Sequence, residues 1–367
     1  MLTAKFHVAL ITPKSTGIGG IAQHVRSLCK WLIRKGWYCS ILSGERIPYI
    51  NVKGVMNLSL TITMSLYASL DSLLGKRSEY DVVHVHHVFC MPVAKIYRKP
   101  TLLTLHGDFL QQEELLYGAR ISTMLKFLEL FAIKAANGLT AVSPYIARKY
   151  AKRYGRRVVY IPNAVDLEEL PRDNKKSFRF VAPGEIQIAF VGRLSPEKGV
   201  DVLLKAYMIV KRKYTGTKLV IAGGGPLTKL VKSISRKHKD IVYVGVLPRT
   251  EALRLIRDSD IIVLPSKAEG FPTVILEALA MGTPVVVSQL PEIEEVLGEK
   301  ALYCRPNDPR DLALKILYLI RDENLRTNLA RNGRYFVEKT FSWERVIELY
   351  ISIYKSLIQN TQLHKNR

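Results

Sequence analysis

The sequence is poor in cysteine, tryptophan and acidic residues, and it has no long apolar run. Its 367 residues include four cysteines and three tryptophans. The cysteines are scattered, with no close pair and no metal-type spacing; they are Cys29, Cys39, Cys90 and Cys304. This spacing fits a reducing compartment and argues against a structural zinc site.

No segment is a good candidate for a membrane span or a secretory signal. The longest stretch without a basic residue, 54–75, contains Asn57, Asp71 and several serines and threonines, so we interpret it as a loop and an amphipathic helix. Residues 6–12 predict a buried strand that is too short for a signal core. We expect a cytoplasmic protein, either soluble or peripheral on the cytoplasmic face of the membrane.

The scarcity of acids leaves a strongly basic chain. There are 55 Lys and Arg residues against 32 Asp and Glu, a net charge of +23, and the densest basic block, 146–157, contains no acid. Such a charge suits a nucleic acid, an anionic membrane surface or a phosphorylated substrate, and an ordinary solvated helix face explains it equally well. A nucleic-acid-binding protein therefore stays an alternative, although the chain lacks a recognition-helix signature and basic motifs interleaved with aromatics.

What the chain does have is a regular alternation of short apolar runs and longer segments of helical periodicity. The predicted strands are 6–12, 38–43, 81–86, 101–106, 139–143, 158–163, 186–192, 218–223, 241–246, 260–266 and 283–288. The predicted helices between them include 21–35, 124–136, 200–213, 227–238, 251–257 and 274–281. Strands that are apolar throughout and are each followed by a helix indicate parallel sheets covered on both faces.

The alternation is interrupted once, at 167–185, where the chain is charged, contains proline and has no periodicity, as a domain linker does. We therefore predict an α/β protein with two tandem, Rossmann-like, doubly wound domains, 1–167 and 168–349. In such sheets ligands bind outside the carboxyl ends of the strands, so two of them facing each other would form a cleft.

The first candidate binding loop follows the first strand. Gly17, Gly19 and Gly20 precede a predicted helix, where backbone amides and the helix dipole favour an anion. The run from Gly17 to Ala22 also satisfies a dinucleotide fingerprint, with Glu45 near the position of a ribose-binding acid, so an NAD-type oxidoreductase is an alternative. Because residues 13–16 separate the strand from the glycines, we favour anion binding.

A second candidate loop follows the strand at 186–192. Arg193 directly follows this strand, and Lys198 lies just before the next predicted helix. Arginine offers a rigid fork for phosphate oxygens and lysine a mobile point charge, which predicts a phosphate site. Two ordinary surface cations are the alternative.

The strongest local pattern is the segment 268–286, where Glu269 and Glu277 are eight residues apart and Pro272 suits the first turn of a helix. A helical rise would separate the two carboxylates by ~12 Å, whereas carboxylates that share one glycosidic bond are ~5–9 Å apart. We infer that they hold two hydroxyl-bearing ends of one extended ligand. The amides of Gly270 and Phe271 would face phosphate between them.

Two further features stand at predicted strand ends. The run 222–227 has three glycines, including Gly225, which permit either close backbone approach to a ligand or tight packing. His106 follows the strand at 101–106 and could donate a hydrogen bond or act as an acid or base, although an isolated histidine is more often structural.

Taken in this order, the motifs resemble those of retaining glycosyltransferases of the GT-B fold, family 4. The resemblance covers nearly the whole chain. It rests on the GxGG loop at 17–20, DVVHVH, the TLHG segment, AVSPYI, YIPNAVD, VGRLSPEKG, IAGGGP, DIIVLPSKAEGFPTVILEALAMGTPVV and FSWERV. It implies a hexosyltransferase that moves a sugar from a nucleoside-diphosphate sugar to an acceptor hydroxyl. It also implies that the final helix, about 350–367, returns to the first domain.

The resemblance also implies roles for individual residues. Arg193 and Lys198 would bind the donor diphosphate, Glu277 the ribose hydroxyls and Glu269 the sugar hydroxyls, while His106 would point at the transferred sugar. The remaining donor contacts would come from Gly19, Gly20, Gly225, Val246, Leu247, Gly270, Phe271, Pro272 and Thr273.

For the reaction, the resemblance implies retention of configuration, with no metal and no cofactor because the two cations stabilise the leaving group. The acceptor would be a glycan or a lipid-linked glycan in cell-surface glycan, glycolipid or polysaccharide synthesis. An anionic membrane surface is a further partner that we consider, and nucleic acid is not expected. The chain departs from many relatives where Ala22 stands in place of an acid soon after the glycines.

Overall fold

A computed structural model describes residues 6–16, 19–44, 63–66, 68–69, 79–171 and 177–365. The chain divides into two compact units: the first consists of Met1–Asn163 and Trp343–Arg367, and the second of Ala164–Ser342. Several sequence predictions lie outside the described residues, namely Gly17, Glu45, most of the stretch 54–75 and the middle of the segment 167–185.

The first unit alternates strands and helices. Its strands are β1 (His7–Thr12), β2 (Tyr38–Ser43), β3 (Val82–Val85), β4 (Thr101–Leu105), β5 (Gly138–Ala141) and β6 (Val159–Tyr160). Its helices are α1 (Gly20–Arg34), α2 (Met91–Ile96), α3 (Phe109–Tyr117), α4 (Ala119–Ala135) and α5 (Pro144–Tyr154), and α13 (Trp343–Lys365) joins them from the end of the chain.

The second unit repeats this alternation. Its strands are β7 (Ile186–Val191), β8 (Thr217–Ala222), β9 (Ile241–Gly245), β10 (Ile261–Leu264), β11 (Val285–Ser288) and β12 (Leu302–Cys304). Its helices are α6 (Val200–Lys213), α7 (Thr228–Lys237), α8 (Arg249–Arg257), α9 (Thr273–Ala280), α10 (Pro291–Leu297), α11 (Pro309–Arg321) and α12 (Glu323–Thr340).

Each unit contains one sheet of six strands, and the neighbouring strands in both sheets are parallel. The first has the order β2-β1-β3-β4-β5-β6 and the second β12-β11-β10-β7-β8-β9. Numbered from β7, the second order is the 3-2-1-4-5-6 arrangement of dinucleotide-binding folds, which reverses direction between β7 and β10. The predicted fold class, α/β with two Rossmann-like parallel sheets, is confirmed; the cleft stays a prediction.

The apolar strands lie in the interior because helices cover them. Residues 285–287 of β11 and 219–221 of β8 have no exposed surface. The sequence analysis did not single out β12, a three-residue strand, or the helices α2, α3, α5, α10, α11 and α12. Among the described residues, no helix combines the length and the apolar character that crossing a membrane requires.

The last helix, α13, packs within the first unit. It buries Tyr350 and Tyr354 completely, and the Tyr354 hydroxyl lies 2.7 Å from Nδ1 of His84 at the end of the chain's third strand, β3. A chain segment that follows the second unit therefore completes the core of the first.

The cysteines correct one expectation. Cys29 on α1 and Cys39 on β2 form a disulfide, with their Cα atoms 5.6 Å apart, while Cys90 and Cys304 are free and buried. The two paired residues are ten positions apart, but β2 returns beside β1 in parallel and brings them together. The scattered spacing gave no sign of this pair, and the disulfide is at odds with the expected reducing compartment.

Candidate functional site

The predicted phosphate loop lies at the carboxyl end of β7, beside the point where the strand order reverses. Arg193 is exposed there, and a short 3-10 turn, Pro196–Lys198, carries Lys198 to the start of α6. Gly199 follows with φ of +66°, and a Cβ atom at this position would come within 2.0 Å of the carbonyl oxygen of Pro265. Only glycine permits this contact, which holds the loop against the segment that follows β10.

That contact places Lys198 against Glu269. Lys198 Nζ lies 2.5 Å from Glu269 Oε1, and the hydroxyl of Ser266 donates to the same oxygen at 2.7 Å. Glu269 is 7% exposed and the Lys198 side chain 23% exposed. A lysine and a glutamate that are 71 residues apart in the chain thus form one ion pair, in which Ser266 participates.

The second glutamate lies on α9. Glu277 is 4% exposed and forms an ion pair with Arg249, the first residue of α8, whose Nη2 lies 2.7 Å from Glu277 Oε1. Burial by itself lowers the pKa of Arg249, but Glu277, and then Glu169 and Asp166, raise it above its ordinary value. The sequence analysis missed Arg249, although it lies two residues after Leu247, which was singled out together with Val246.

Helix α9 begins just after Pro272, which the sequence pattern had placed in its first turn. Pro272 is the N-cap and Thr273 the first helical residue, so Glu269 lies outside the helix and the ~12 Å helical spacing does not apply. The helix has neither a side-chain cap nor an acid in its first turn. Gly270 and Phe271 precede it and are buried, the Phe271 ring lying 6.0 Å from that of Phe341. An uncapped helix start with the helix dipole behind it favours an anion.

The three-glycine run is mainly a packing device. A Cβ atom at Gly223 would lie 1.8 Å from the carbonyl oxygen of Gly192, and one at Gly225 would lie 2.5 Å from that of Leu194. Of the two interpretations, tight packing is the one that the geometry favours. The Leu194 amide donates to the Gly224 carbonyl oxygen at 3.0 Å, which places the run beside Arg193. Gly225 and Val246 are exposed and Leu247 is buried.

In the first unit, Gly19 and Gly20 form the start of α1. Both are exposed, and a Cβ atom at either position would meet nothing within 4 Å. The helix has no side-chain cap and no acid in its first turn. Contacts among the described residues therefore do not require glycine at these two positions, and their role in binding a ligand stays a prediction.

His106 stands at the carboxyl end of β4 and is partly exposed. It is one of a group of histidines in the first unit, and its Nε2 lies 3.1 Å from Nδ1 of His86. Burial, reinforced by the neighbouring imidazoles, lowers the pKa of both residues well below 6.5. Burial also lowers the pKa of His24 to about 4, and the Asn163 side chain offsets only part of that effect. These rings are neutral at physiological pH.

The basic block at 146–157 is largely engaged in internal contacts. Lys149 and Arg153 pair with Asp108 at 2.8 and 2.9 Å, and Arg153 also lies 3.4 Å from Glu129. Arg156 donates to the carbonyl oxygens of Ile133 and Ala136, at the end of α4. Lys149, Arg153 and Arg156 thus have partners within the first unit. These contacts favour a structural role for the three residues over an open surface that binds anionic ligands.

The sequence contains an Asp-x-Asp triplet, Asp258–Asp260, a pattern that binds a metal ion in some glycosyltransferases. It lies at the amino end of β10, away from the loops described above. Asp258 accepts from the Phe178 amide at 2.8 Å, and Asp260 accepts from the Gln187 amide at 2.7 Å and from Arg179 at 3.0 Å. These contacts give the triplet a structural role.

Comparison with known proteins identifies the family of the chain. The family described as "Glycosyl transferases group 1" matches residues 172–336, and that described as "Glycosyltransferase Family 4" matches residues 18–169. An uncharacterized glycosyltransferase of Methanocaldococcus jannaschii is 27% identical, over 92% of this chain and 94% of that protein.

Solved structures show the same fold. Sucrose-phosphate synthase from Thermosynechococcus elongatus matches with a TM-score of 0.84 and 19% identity, over 97% of this chain and 100% of the other. Anabaena HepE in complex with UDP and glucose matches with a TM-score of 0.74 and 18% identity, over 95% and 99%. The chain belongs to the family 4 type of glycosyltransferases and has the GT-B fold. The oxidoreductase and nucleic-acid alternatives are thereby set aside.

Proposed function

We propose that this protein transfers a hexose from a nucleoside-diphosphate sugar to an acceptor hydroxyl, with retention of configuration and without a metal ion. The observation that carries the proposal is the ion pair between Lys198 and Glu269, which lies at the carboxyl edge of the second sheet. Arg193 is exposed at the same edge, and the uncapped start of α9 directly follows Glu269 and Gly270.

The pair explains how the donor would be held. When a diphosphate binds, Lys198 can exchange Glu269 for a phosphate oxygen, and the released carboxylate can accept hydrogen bonds from sugar hydroxyls. Ser266 remains hydrogen-bonded to Glu269 and keeps it oriented. Arg249 holds Glu277 in the same way for the ribose hydroxyls. Both acids are thus preorganised before the donor arrives.

The leaving group accounts for the cations. As the bond to the sugar breaks, the sugar becomes oxocarbenium-like and negative charge develops on the departing nucleoside diphosphate. Arg193, Lys198 and the amides at the start of α9 would stabilise that charge more strongly than the charge of the bound donor, which lowers the barrier. The acceptor hydroxyl would attack from the face that the leaving group vacates. The roles that the resemblance implies for Gly19, Gly20 and His106, in the first unit, stay predictions.

The first experiment is a thermal-stability screen with UDP-, GDP- and ADP-sugars in the presence of EDTA. We expect one base to raise the melting temperature, because a ligand that binds the native state stabilises it by mass action. Glu277→Ala should abolish the shift. No shift with any donor, at concentrations well above ordinary donor affinities, would overturn the proposal.

A second experiment tests the chemistry. Lys198→Ala should lower kcat for donor turnover by about 10²–10³-fold, the usual loss when one group that stabilises transition-state charge is removed. Lys205→Ala is the matched control, because Lys205 is an exposed lysine on the following helix, α6. The anomer released when water replaces the acceptor, followed by NMR, tests retention. Near-full turnover by Lys198→Ala would remove Lys198 from the mechanism.

We also propose that the acceptor is a glycan or lipid-linked glycan of the cell surface, and that helix α4 contacts an anionic membrane on its cytoplasmic face. Three apolar side chains of α4 are exposed at helical spacing: Met124 (75%), Phe127 (80%) and Phe131 (46%). The exposed Lys126 and Lys134 lie on the same helix. An apolar stripe with flanking lysines is the pattern of an interfacial helix.

Vesicle co-sedimentation tests this surface. Phe127→Ser should reduce binding to vesicles that contain phosphatidylglycerol, whereas Tyr335→Ser, which changes a 65%-exposed aromatic of the second unit, should not. Equal recovery on neutral and anionic vesicles would count against the membrane contact, and dimerisation lost in Phe127→Ser would reassign the stripe to a protein interface. The Cys29–Cys39 disulfide opposes the cytoplasmic part of this proposal, because disulfides are rare in a reducing cytosol.

A further inference from the structure

Three histidines converge at the carboxyl edge of the first sheet. His24 lies on α1, His86 follows β3 and His106 follows β4, the neighbouring strand. Their ring centroids form a nearly equilateral triangle, with separations of 5.4, 5.0 and 5.4 Å. One nitrogen of each ring lies within 4.8 Å of one nitrogen of the other two.

Two nitrogens of this group lack a partner although they are buried. His24 is 2% exposed and its Nδ1 has no hydrogen-bond partner; His86 is 1% exposed and its Nε2 has none. The Asn163 side chain lies near His24 but does not meet hydrogen-bond geometry at Nδ1. Buried polar atoms without partners are rare in native proteins, and each one requires an explanation.

The neighbouring histidines need no such explanation. His84 contacts the Tyr354 hydroxyl at 2.7 Å and the Thr104 hydroxyl at 2.6 Å, and His87 accepts a hydrogen bond from the Phe89 amide. Internal hydrogen bonds therefore account for both of these rings. They do not account for the two unpartnered nitrogens of His24 and His86.

We propose that His24, His86 and His106 form a binding site for a transition-metal ion of the class that prefers imidazole, with Zn²⁺ as the first candidate. Three histidines with one remaining position is a recurrent zinc coordination set. His106 is partly exposed, so the fourth position and the entry route lie on its side. The Tyr350 hydroxyl lies 3.3 Å from Nε2 of His24 and orients the ring, which leaves Nδ1 for the ion.

The dimensions support this proposal. Three imidazoles that share a tetrahedral ion at a Zn–N distance of ~2.1 Å have ring centroids about 5 Å apart, close to the separations found here. The three nitrogens now lie within 4.8 Å of one another. In a tetrahedral site they would be about 3.4 Å apart, and small rotations of the rings provide this change in distance. His86 Nδ1 and His106 Nε2 already lie 3.1 Å apart, and an ion bound by these two atoms would replace the hydrogen bond between them. The ion would then account for the unpartnered Nδ1 of His24, and Nε2 of His86 would stay without a partner.

One consequence rests on the proposed function, although the binding itself does not. If His106 contacts the transferred sugar, an ion that takes up its imidazole withdraws it from the reaction. The metal would then inhibit a transferase that needs none. Loss of this inhibition alone would speak against the role of His106, and loss of metal binding would speak against the site.

The binding test uses the full chain, freed of metal by chelation. Co²⁺ replaces Zn²⁺ as a spectroscopic probe, and its visible absorption reports tetrahedral coordination. We expect one Co²⁺ per chain, displaced by one Zn²⁺, and a rise in melting temperature with Zn²⁺. His24→Gln and His86→Gln should each weaken Zn²⁺ binding by at least tenfold, while His238→Gln, in the second unit, should not.

The outcomes are distinct. Absence of tetrahedral Co²⁺ absorption in the wild-type protein would overturn the proposal and assign the unpartnered nitrogens to buried water. Equal Zn²⁺ affinity in the wild type and His24→Gln would place the metal elsewhere and overturn it as well. Should circular dichroism show that a variant of a buried histidine does not fold, His106→Gln, which changes a partly exposed residue, provides the same comparison.

Discussion

The contact between Gly199 and Pro265 offers a direct test of how the second unit assembles its site. A methyl group at position 199 would lie 2.0 Å from the Pro265 carbonyl oxygen, and real Cβ atoms essentially never come within 3.0 Å of a neighbour. In Gly199→Ala the two loops must therefore separate by about 1 Å, the difference between these distances. Because Lys198 and Glu269 lie on these two loops, the separation strains their ion pair.

Two costs add in this variant. The left-handed backbone, with φ of +66°, costs alanine about 1–2 kcal/mol, and the overlap adds about 1–3 kcal/mol, as overpacking does. We expect a loss of about 2–5 kcal/mol in the free energy of unfolding. A displacement of about 1 Å among positioned groups should lower kcat/KM by about 10²-fold.

Gly282→Ala is the matched control. Gly282 lies in the same unit with φ of +73°, but a Cβ atom there would meet nothing within 4 Å. It carries the backbone strain without the overlap, so it should lose about 1–2 kcal/mol and keep its activity. Urea unfolding and donor turnover measure both quantities. Equal losses of stability and activity in the two variants would refute the argument that the Pro265 contact positions the site.

Two further predictions concern the first unit. Burial raises the pKa of Glu113 to about 7, from 4.5, because the charged carboxylate is poorly solvated in the folded state. The stability that the protonated side chain provides is fully present below pH 4.5 and is lost as the pH rises through 7. Glu113→Gln should therefore be more stable than the wild type by up to about 3 kcal/mol at pH 8 and nearly equal at pH 4.5; urea melts at both values decide this, with the exposed Glu114→Gln as control, and no gain at pH 8 would contradict it. Reduction of the Cys29–Cys39 bond should cost about 3 kcal/mol from loop entropy, so dithiothreitol should lower the melting temperature of the wild type but leave Cys29→Ser unchanged.

The strands were predictable from the sequence because burial on both faces imposes a local composition. The runs 188–191, 219–222 and 261–264 are apolar at every position, as strands buried on both faces of a parallel sheet are. Helix α6 was predicted with its observed bounds, since its apolar positions repeat at helical spacing. β12 escaped detection because three residues cannot establish a period.

The candidate site was partly predictable for a similar reason. Arg193, Lys198 and Glu269 lie on loops that follow strand ends, and the carboxyl ends of parallel strands share one edge of a sheet. Glu277 lies on α9, the helix that follows one of these loops. The alternating histidines of DVVHVH were also visible in the sequence, since residues two apart on a strand lie on one face. His24, on a helix 60 residues earlier in the chain, gave no such local signal.

The sequence by itself determined the element types, the parallel sheets and the residue types at their edges, because these depend on local periodicity and composition. Only the tertiary structure decided which residues meet: Lys198 with Glu269, Arg249 with Glu277, Cys29 with Cys39, and Asp108 with the basic helix α5. Partners far apart in the chain are selected by strand order and by close backbone contacts, such as that between Gly199 and Pro265. Neither leaves a periodic trace in the sequence.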